Sequence, residues 1–206
     1  MIHLILYAAA LAVNLGWLFL GDGLSLLQQV CVPFLTVALA GTGVLLRLWK
    51  LPQSARRRYA HGALWVLLVY YLAILTVLLF LGGLFHMDRG WGGTINLEPF
   101  HTICNYLRYY RNTGSHVSIL NLLGNVVIMV PLGMLVPLLF RPMRRFWLSL
   151  PLFALVSVGV EYLQWLTATG AADVDDSILN FIGAAAGYVL VRCLQMVYGA
   201  VKRKGK

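Results

Sequence analysis

Long apolar runs constrain this chain more than any other feature of its sequence. A helix needs about 20 mostly apolar residues to cross a hydrocarbon core roughly 30 Å thick. Six runs in the 206-residue chain qualify, at residues 2–20, 24–46, 61–84, 118–140, 147–166 and 178–197. The sequence therefore predicts an all-α, polytopic integral membrane protein, built as a bundle of about six transmembrane helices.

The composition supports this prediction and leaves no spare length for a soluble domain. Apolar residues make up 60% of the chain and charged residues only 11%, whereas about a quarter of a typical soluble domain is charged. We expect a single transmembrane domain over residues 1–206. Its predicted parts are three helices in 1–84, an outer interfacial loop in 85–117, three helices in 118–197 and a basic tail in 198–206.

The first run could instead be a signal peptide, because small residues lie within it at Ala8, Ala9, Ala10 and Ala12. However, no Lys or Arg precedes the run, and few apolar residues come before these alanines. A signal peptide needs both a basic start and a longer apolar stretch. We therefore interpret residues 2–20 as the first transmembrane helix.

The basic residues are distributed unevenly between the two sides of the predicted bundle. Thirteen of the sixteen Lys and Arg residues lie after the second and fourth runs or towards the end of the chain; the exceptions are Arg89, Arg108 and Arg111. By the positive-inside rule, the more basic side is cytoplasmic, which predicts an N-in, C-in topology. The basic residues occupy short loops rather than one polar face, which argues against nucleic acid as a partner.

All seven acidic residues fall in outer loops or towards the outer ends of helices. An acidic outer surface suits contact with a cation, a metal or a basic group on a ligand. The alternative is that acidic side chains simply avoid the anionic lipid face of the cytoplasmic leaflet. The acidic residues therefore indicate a candidate ligand-binding side without identifying the ligand.

Polar side chains of the last three predicted helices fall at one depth. Within lipid such side chains are costly, and they normally face the bundle interior, where they have a partner or a function. Helical rise places Glu161 about 21 Å from the inner surface, near the outer boundary. The other polar residues predicted near this depth are Gln164 on the same helix, Asn121 and Asn125 on the fourth, and Asp173, Asp176 and Asn180 on or just before the sixth.

These residues form the candidate site, with two interpretations left open. Glu161, Asp173 and Asp176 are candidate acid–base groups or metal ligands, and the amides would orient a substrate. Alternatively, the amides form only interhelical hydrogen bonds. Asp175 is interpreted as solvated or as a charge at a helix N-terminus. The small residues from Gly183 to Gly187 predict close approach of the sixth helix to a neighbour.

The spacing of these residues resembles that of VanZ-like bacterial membrane proteins over roughly residues 94–190. The matching elements are N-x-x-P-F from Asn96 to Phe100, the Asn121–Asn125 pair followed by Pro131 and Gly133, E-x-x-Q at Glu161 and Gln164, and D-x-x-D-x-x-x-N-x-x-G from Asp173 to Gly183. The namesake of the family is associated with resistance to teicoplanin, a glycopeptide that acts on cell-wall precursors outside the bacterial membrane. The resemblance implies a multi-pass protein of the bacterial plasma membrane with a role at the cell surface.

The resemblance also adds candidate binding residues in the outer loop. Asn96 and Glu98 belong to the N-x-x-P-F element, and His101 lies just beyond it. Many members carry an arginine between the Gln and the first Asp, but residues 165–172 contain none. Arg108 or Arg111 would have to replace it in an anion-binding role.

Three functions are compatible with such a site, besides a scaffold role. The sequence favours binding of a glycopeptide, a lipid head group or a lipid-linked cell-wall precursor in an outward-facing polar pocket. An enzyme acting on a lipid-linked or surface glycolipid is the alternative, and its carboxylate and amide oxygens would favour Mg²⁺, Mn²⁺ or Ca²⁺ over zinc. The third possibility is a lipid or small-molecule transporter. Such a protein would favour carboxylates at the midplane of the membrane, and the sequence places none there.

Overall fold

The computed structural model describes residues 2–20, 26–81 and 95–204, and within them the chain forms seven α-helices. These are α1 (Ile2–Leu20), α2 (Leu26–Lys50), α3 (Gln53–Thr76), α4 (His101–Thr113), α5 (Val117–Leu139), α6 (Phe146–Leu166) and α7 (Val174–Lys204). A π-helical segment, Val77–Leu81, extends α3, and a 3-10 turn, Arg141–Arg144, joins α5 to α6. Two short strands, β1 (Ile95–Asn96) and β2 (Ala172–Asp173), complete the fold.

Five segments are long and apolar enough to cross a membrane. They are Val32–Lys50, Gln53–Phe80, Val117–Leu139, Phe146–Leu166 and Val174–Val201. The first predicted span does form a helix over residues 2–20, but the apolar stretch Ile2–Gly16 is shorter than the others. The all-α, multi-pass membrane architecture is thus confirmed, with five clear spans among the described residues. The N-in, C-in orientation stays a prediction.

Several helices extend beyond the apolar runs from which they were predicted. The third helix begins at Gln53 rather than at residue 61, and the last covers Val174–Lys204 rather than 178–197. Apolar runs mark only the lipid-crossing part of a helix, whereas Arg, Lys and Gln propagate a helix well in water. The predicted outer loop also contains a helix, α4, while its residues 85–94 lie outside the described part.

The described residues divide into two compact units, Met1–Tyr70 and Tyr71–Lys206. In the first unit α1 packs against α2, and part-buried polar groups of α1, α2 and α3 form hydrogen bonds with one another. The Asn14 amide donates to the Thr36 hydroxyl at 2.6 Å and accepts from the Tyr70 hydroxyl at 2.9 Å. Such interhelical bonds in lipid contribute about 1 kcal/mol each.

In the second unit α5 and α7 approach each other backbone to backbone. At three glycines, a Cβ would overlap a carbonyl oxygen of the facing helix: Gly133 with Ala184, Gly183 with Val126, and Gly187 with Val130. Met129 of α5 and Phe153 of α6 lie fully buried beside this seam. The predicted close approach of the small-residue stretch is confirmed, because only hydrogen fits at these positions.

A parallel strand pair, which the sequence did not predict, joins two distant segments of the second unit. Ile95 pairs with Ala172, and Asn96 pairs with Asp173. The pair places the N-x-x-P-F segment directly beside the start of α7. The position of the strand pair determines which polar side chains lie close enough to form hydrogen bonds.

We predict that Gly183→Ala destabilises the protein by about 1–3 kcal/mol, because the added methyl group forces α7 away from α5. Thermal unfolding in detergent measures the effect. Gly199→Ala is the matched control, since Gly199 lies on the same helix and a Cβ added there would meet nothing within 4 Å. Equal melting temperatures for the two variants would contradict the role assigned to this seam.

Candidate functional site

Buried carboxylates and amides from α6, α7 and β2 meet in the second unit around Glu161. The Glu161 side chain is 6% exposed. Its Oε2 accepts a hydrogen bond from the backbone N–H of Asp173, and its Oε1 accepts one from the Asn180 amide, both at 3.3 Å. One side chain of α6 therefore fixes both β2 and the first turns of α7.

Asp173 connects β2 to β1 and to α4. Its carboxylate accepts from the Asn96 amide at 3.2 Å and from the Thr102 hydroxyl at 2.5 Å. It also accepts from the backbone N–H of Asp175 at 2.9 Å. The structure therefore brings the predicted residues Asn96 and Asp173 together, and it adds Thr102, which carried no motif signal.

Of the two sequence interpretations of Asp175, the solvated one is wrong, whereas the residue does lie in the first turn of α7. It is fully buried, and its carboxylate accepts from the backbone N–H groups of Phe100 at 2.5 Å and Ile103 at 3.0 Å. These N–H groups belong to the first turn of α4, which has no cap from its own segment. Asp175 thus caps α4 from α7, and only the tertiary structure reveals it.

Asp176 and Asn125 join the two helices of the glycine seam. The Asn125 amide donates to Asp176 Oδ1 at 2.5 Å. Asn121 lies one turn earlier on α5, but its side chain is exposed and has no hydrogen bond to any described residue. Of the two predicted asparagines on this helix, the structure brings only Asn125 into the cluster.

Gln164 also lies apart from the cluster. Its amide donates to the backbone oxygen of Leu79 at 3.4 Å, and its side chain packs against Gly170. This contact joins the end of α6 to the π-helical extension of α3. Gln164 therefore connects helices, as the alternative interpretation of the amides expects.

An open cleft of about 690 Å³ lies against the strand pair and the first turn of α4. Its lining residues are Ile95, Asn96, Leu97, Glu98, His101, Thr102, Ala171 and Asp173. Glu98 is exposed and its carboxylate has no hydrogen bond to any described residue. His101 is also exposed, and its Nε2 lies 3.1 Å from the Asn105 amide. Arg108 is exposed on the same face of α4 as His101 but does not line the cleft.

The carboxylates of the cluster have no cationic partner among the described residues. No described Lys or Arg forms an ion pair with Glu161, Asp173 or Asp175, and their hydrogen-bond donors are amides, hydroxyls and backbone N–H groups. An excess of carboxylates creates a field that attracts positive charge and hydrogen-bond donors. The cleft that Asp173 lines should therefore attract ligands that carry such groups.

Two buried side-chain oxygens in the same region lack a hydrogen-bond partner among the described residues. They are Asn180 Oδ1 and Ser157 Oγ, on side chains that are 1% and 2% exposed. No three His, Cys, Asp or Glu side chains in the described part of the chain converge as metal ligands. The expected divalent cation stays a prediction.

We predict that Asp175→Ala lowers the free energy of unfolding by about 1–3 kcal/mol, because it leaves two part-buried N–H groups without their acceptor. Amide hydrogen exchange should accelerate at Phe100 and Ile103. Asp175→Asn is the control, since its amide oxygen preserves one acceptor and should cost less. Unchanged exchange at these two amides in the alanine variant would show that Asp175 does not cap α4.

Comparison with protein-family models matches residues 65–195 to the VanZ/LLP1 family. The matched region contains the strand pair, the cleft, the glycine seam and all the hydrogen-bonded carboxylates described above. Comparison with curated proteins and with solved structures returned no match. Because the match covers more than half of the 206 residues, the chain belongs to the VanZ/LLP1 family.

Proposed function

We propose that this protein binds the polar part of a cell-surface ligand in the cleft formed by β1, the start of α4 and β2. The ligand classes are a lipid head group, a lipid-linked cell-wall precursor or a glycopeptide. The observation that carries the proposal is the cleft itself, which is lined by the nearly buried Asp173 and by the exposed side chains of Glu98 and His101. We place the protein in the bacterial plasma membrane, with this cleft facing outward.

The rigidity of the cleft supports binding. Its β1 wall is held by the Asn96–Asp173 contact, and its α4 wall is held by the Asp175 cap. A site whose side chains are already fixed loses less conformational entropy when a ligand binds. The buried hydrogen bonds that hold the walls of the cleft therefore favour tighter ligand binding.

The chemistry of the lining indicates the kind of ligand. Carboxylates at Asp173 and Glu98 accept hydrogen bonds, so a suitable ligand offers hydroxyl, amide N–H or ammonium groups. Ile95 and Leu97 are exposed beside them and provide apolar contacts. Glycolipids, lipid-linked sugars and glycopeptides combine such donors with apolar parts.

The predicted acidic residues take different roles in this proposal. Asp173 contacts the ligand. Glu161 positions Asp173 by accepting a hydrogen bond from the backbone N–H of Asp173. Asp176 joins α7 to α5 through its hydrogen bond with Asn125. Glu161 is nearly buried and does not line the cleft. An acid–base role for Glu161 in an enzyme stays a prediction, which Glu161→Gln in a turnover assay would test.

A contribution to teicoplanin-type resistance belongs to the same proposal. The family's namesake is associated with such resistance, and a cleft that holds the glycopeptide or its precursor target would lower access of the antibiotic. Expression in a susceptible bacterium should raise the inhibitory concentration of teicoplanin. An unchanged inhibitory concentration would remove resistance from the proposal while leaving ligand binding testable.

We predict that Glu98→Gln weakens ligand binding about tenfold, because a hydrogen bond to a charged group contributes about 1.5–3 kcal/mol. The measurement is titration of purified protein in lipid nanodiscs with teicoplanin and, separately, with a lipid-linked cell-wall precursor. Asn112→Ala, an exposed change near the far end of α4, is the control. Absence of binding by the unaltered protein to both probes, or equal affinities of the two variants, would overturn the proposal.

The outward orientation of the cleft has its own test. Cys104 is exposed on α4, so a membrane-impermeant thiol reagent should label it in intact cells. Cys31→Ser and Cys193→Ser together remove the other two thiols, and Cys104→Ser is the negative control. Labelling that appears only after permeabilisation would reverse the predicted orientation and the outward-facing cleft with it.

A further inference from the structure

A second cleft, of opposite charge, lies in the first unit where α2 ends and α3 begins. It measures about 590 Å³ and is lined by Arg47, Leu51, Ser54, Ala55, Arg58 and Tyr59. Arg47 lies in the last turn of α2 and Leu51 in the connection, and on α3 the pairs Ser54–Arg58 and Ala55–Tyr59 are each four residues apart, so they lie on neighbouring stripes of one face. All six residues precede the region matched to the VanZ/LLP1 family.

The two guanidinium groups in this cleft have no hydrogen-bond or ion-pair partner in the described part of the chain. A neighbouring arginine, Arg56, donates to the backbone oxygens of Leu51 at 2.8 Å and Trp49 at 3.3 Å. Arg47 and Arg58 make no comparable bond to any residue that the structure describes. The sequence has no Asp or Glu from residue 23 to residue 87, so no acidic residue adjacent in the chain neutralises these charges.

Hydroxyl groups complete the set of donors. Ser54 lies in the first turn of α3 and is exposed. The Tyr59 hydroxyl is held 2.5 Å from the Tyr7 hydroxyl of α1, which fixes its position. Guanidinium forks combined with hydroxyl groups are the donors that phosphate oxygens bind best, because an arginine can donate two parallel bonds to one phosphate.

The location of the cleft matches that of lipid phosphates. Both α2 and α3 contain spans long enough to cross a membrane, and only Leu51 and Pro52 separate them. The connection therefore lies at a membrane surface. Trp49, which is 79% exposed beside it, is the residue type enriched at head-group level.

We propose that this cleft is a binding site for one phosphate group, with Arg47 and Arg58 as its paired ligands and Ser54 and Tyr59 as hydroxyl donors. The phosphate belongs either to the head group of an anionic phospholipid or to a free phosphate compound. Leu51 and Ala55 supply an apolar wall suited to the part of a lipid just below its phosphate. This proposal does not depend on the cleft of the second unit or on the ligand proposed for it.

A comparison of Arg57 with Arg58 distinguishes a specific site from a general attraction to anionic lipid. Basic residues near a membrane surface contribute about 1 kcal/mol each wherever they lie. A general attraction therefore predicts equal effects for Arg57→Gln and Arg58→Gln, which remove the same charge from neighbouring positions. Arg57 is exposed but does not line the cleft, so a specific site predicts unequal effects.

The experiment is native mass spectrometry of the purified full-length protein in detergent, titrated with phosphatidylglycerol or with phosphatidylcholine. We expect the unaltered protein to retain one phosphatidylglycerol molecule in preference to phosphatidylcholine. Arg47→Gln and Arg58→Gln should each weaken this binding about tenfold more than Arg57→Gln does, as expected for loss of a charge-assisted bidentate contact. Circular dichroism checks that all three variants keep their helices.

Inorganic phosphate, titrated alone and as a competitor, distinguishes the two sources of the phosphate group. Selective phosphatidylglycerol binding that millimolar phosphate does not displace supports the lipid head group. Binding of phosphate itself, lost in the Arg47 and Arg58 variants only, supports the free anion. Equal weakening in the Arg57 and Arg58 variants, or no binding of either probe, would overturn the proposal.

Discussion

The backbone contact between α5 and α7 is the interaction on which the position of the candidate site depends. Glycines at positions 133, 183 and 187 allow the two helices to approach until carbonyl oxygens lie where side chains would otherwise be. Because lipid tails are as apolar as leucine, such packing replaces the hydrophobic effect as the source of helix association. The first turn of α7 is then fixed against α5, as the bond from Asn125 to Asp176 shows.

The fixed start of α7 in turn organises the candidate site. Asp173 holds β1 through Asn96, Asp175 caps α4 at Phe100 and Ile103, and Glu161 supports both strand β2 and Asn180. Each carboxylate accepts from neutral donors rather than from a described Lys or Arg. Buried polar groups are costly unless they are hydrogen-bonded, and Asp173 and Asp175 meet this requirement through neutral donors, whereas Asn180 Oδ1 has no partner among the described residues. These bonds hold the walls of the cleft, and the proposed preference for donor-bearing ligands rests on the carboxylates of Asp173 and Glu98 that line it.

The two compact units carry clefts of opposite character. The cleft of the second unit is lined by carboxylates and lies within the region matched to the VanZ/LLP1 family. The cleft of the first unit is lined by arginines and lies outside that region. Their charges follow from the sequence, because no acidic residue occurs from 23 to 87, and five of the seven lie from Glu98 onward. Ligands of opposite chemistry are therefore proposed for separate parts of one chain.

The sequence by itself determined the membrane class, the positions of the long helices, the small-residue contact and most members of the polar cluster. These follow from local patterns, since hydropathy and helical spacing act within about 20 residues. Only the tertiary structure decided that Asn96 pairs with Asp173, that Asp175 caps α4 and that Asn121 and Gln164 lie outside the cluster. The segment containing Asn96 and Phe100 is more than 70 residues from its partners, and the strands are only two residues long. No local periodicity encodes such contacts, because they join segments that lie far apart in the chain.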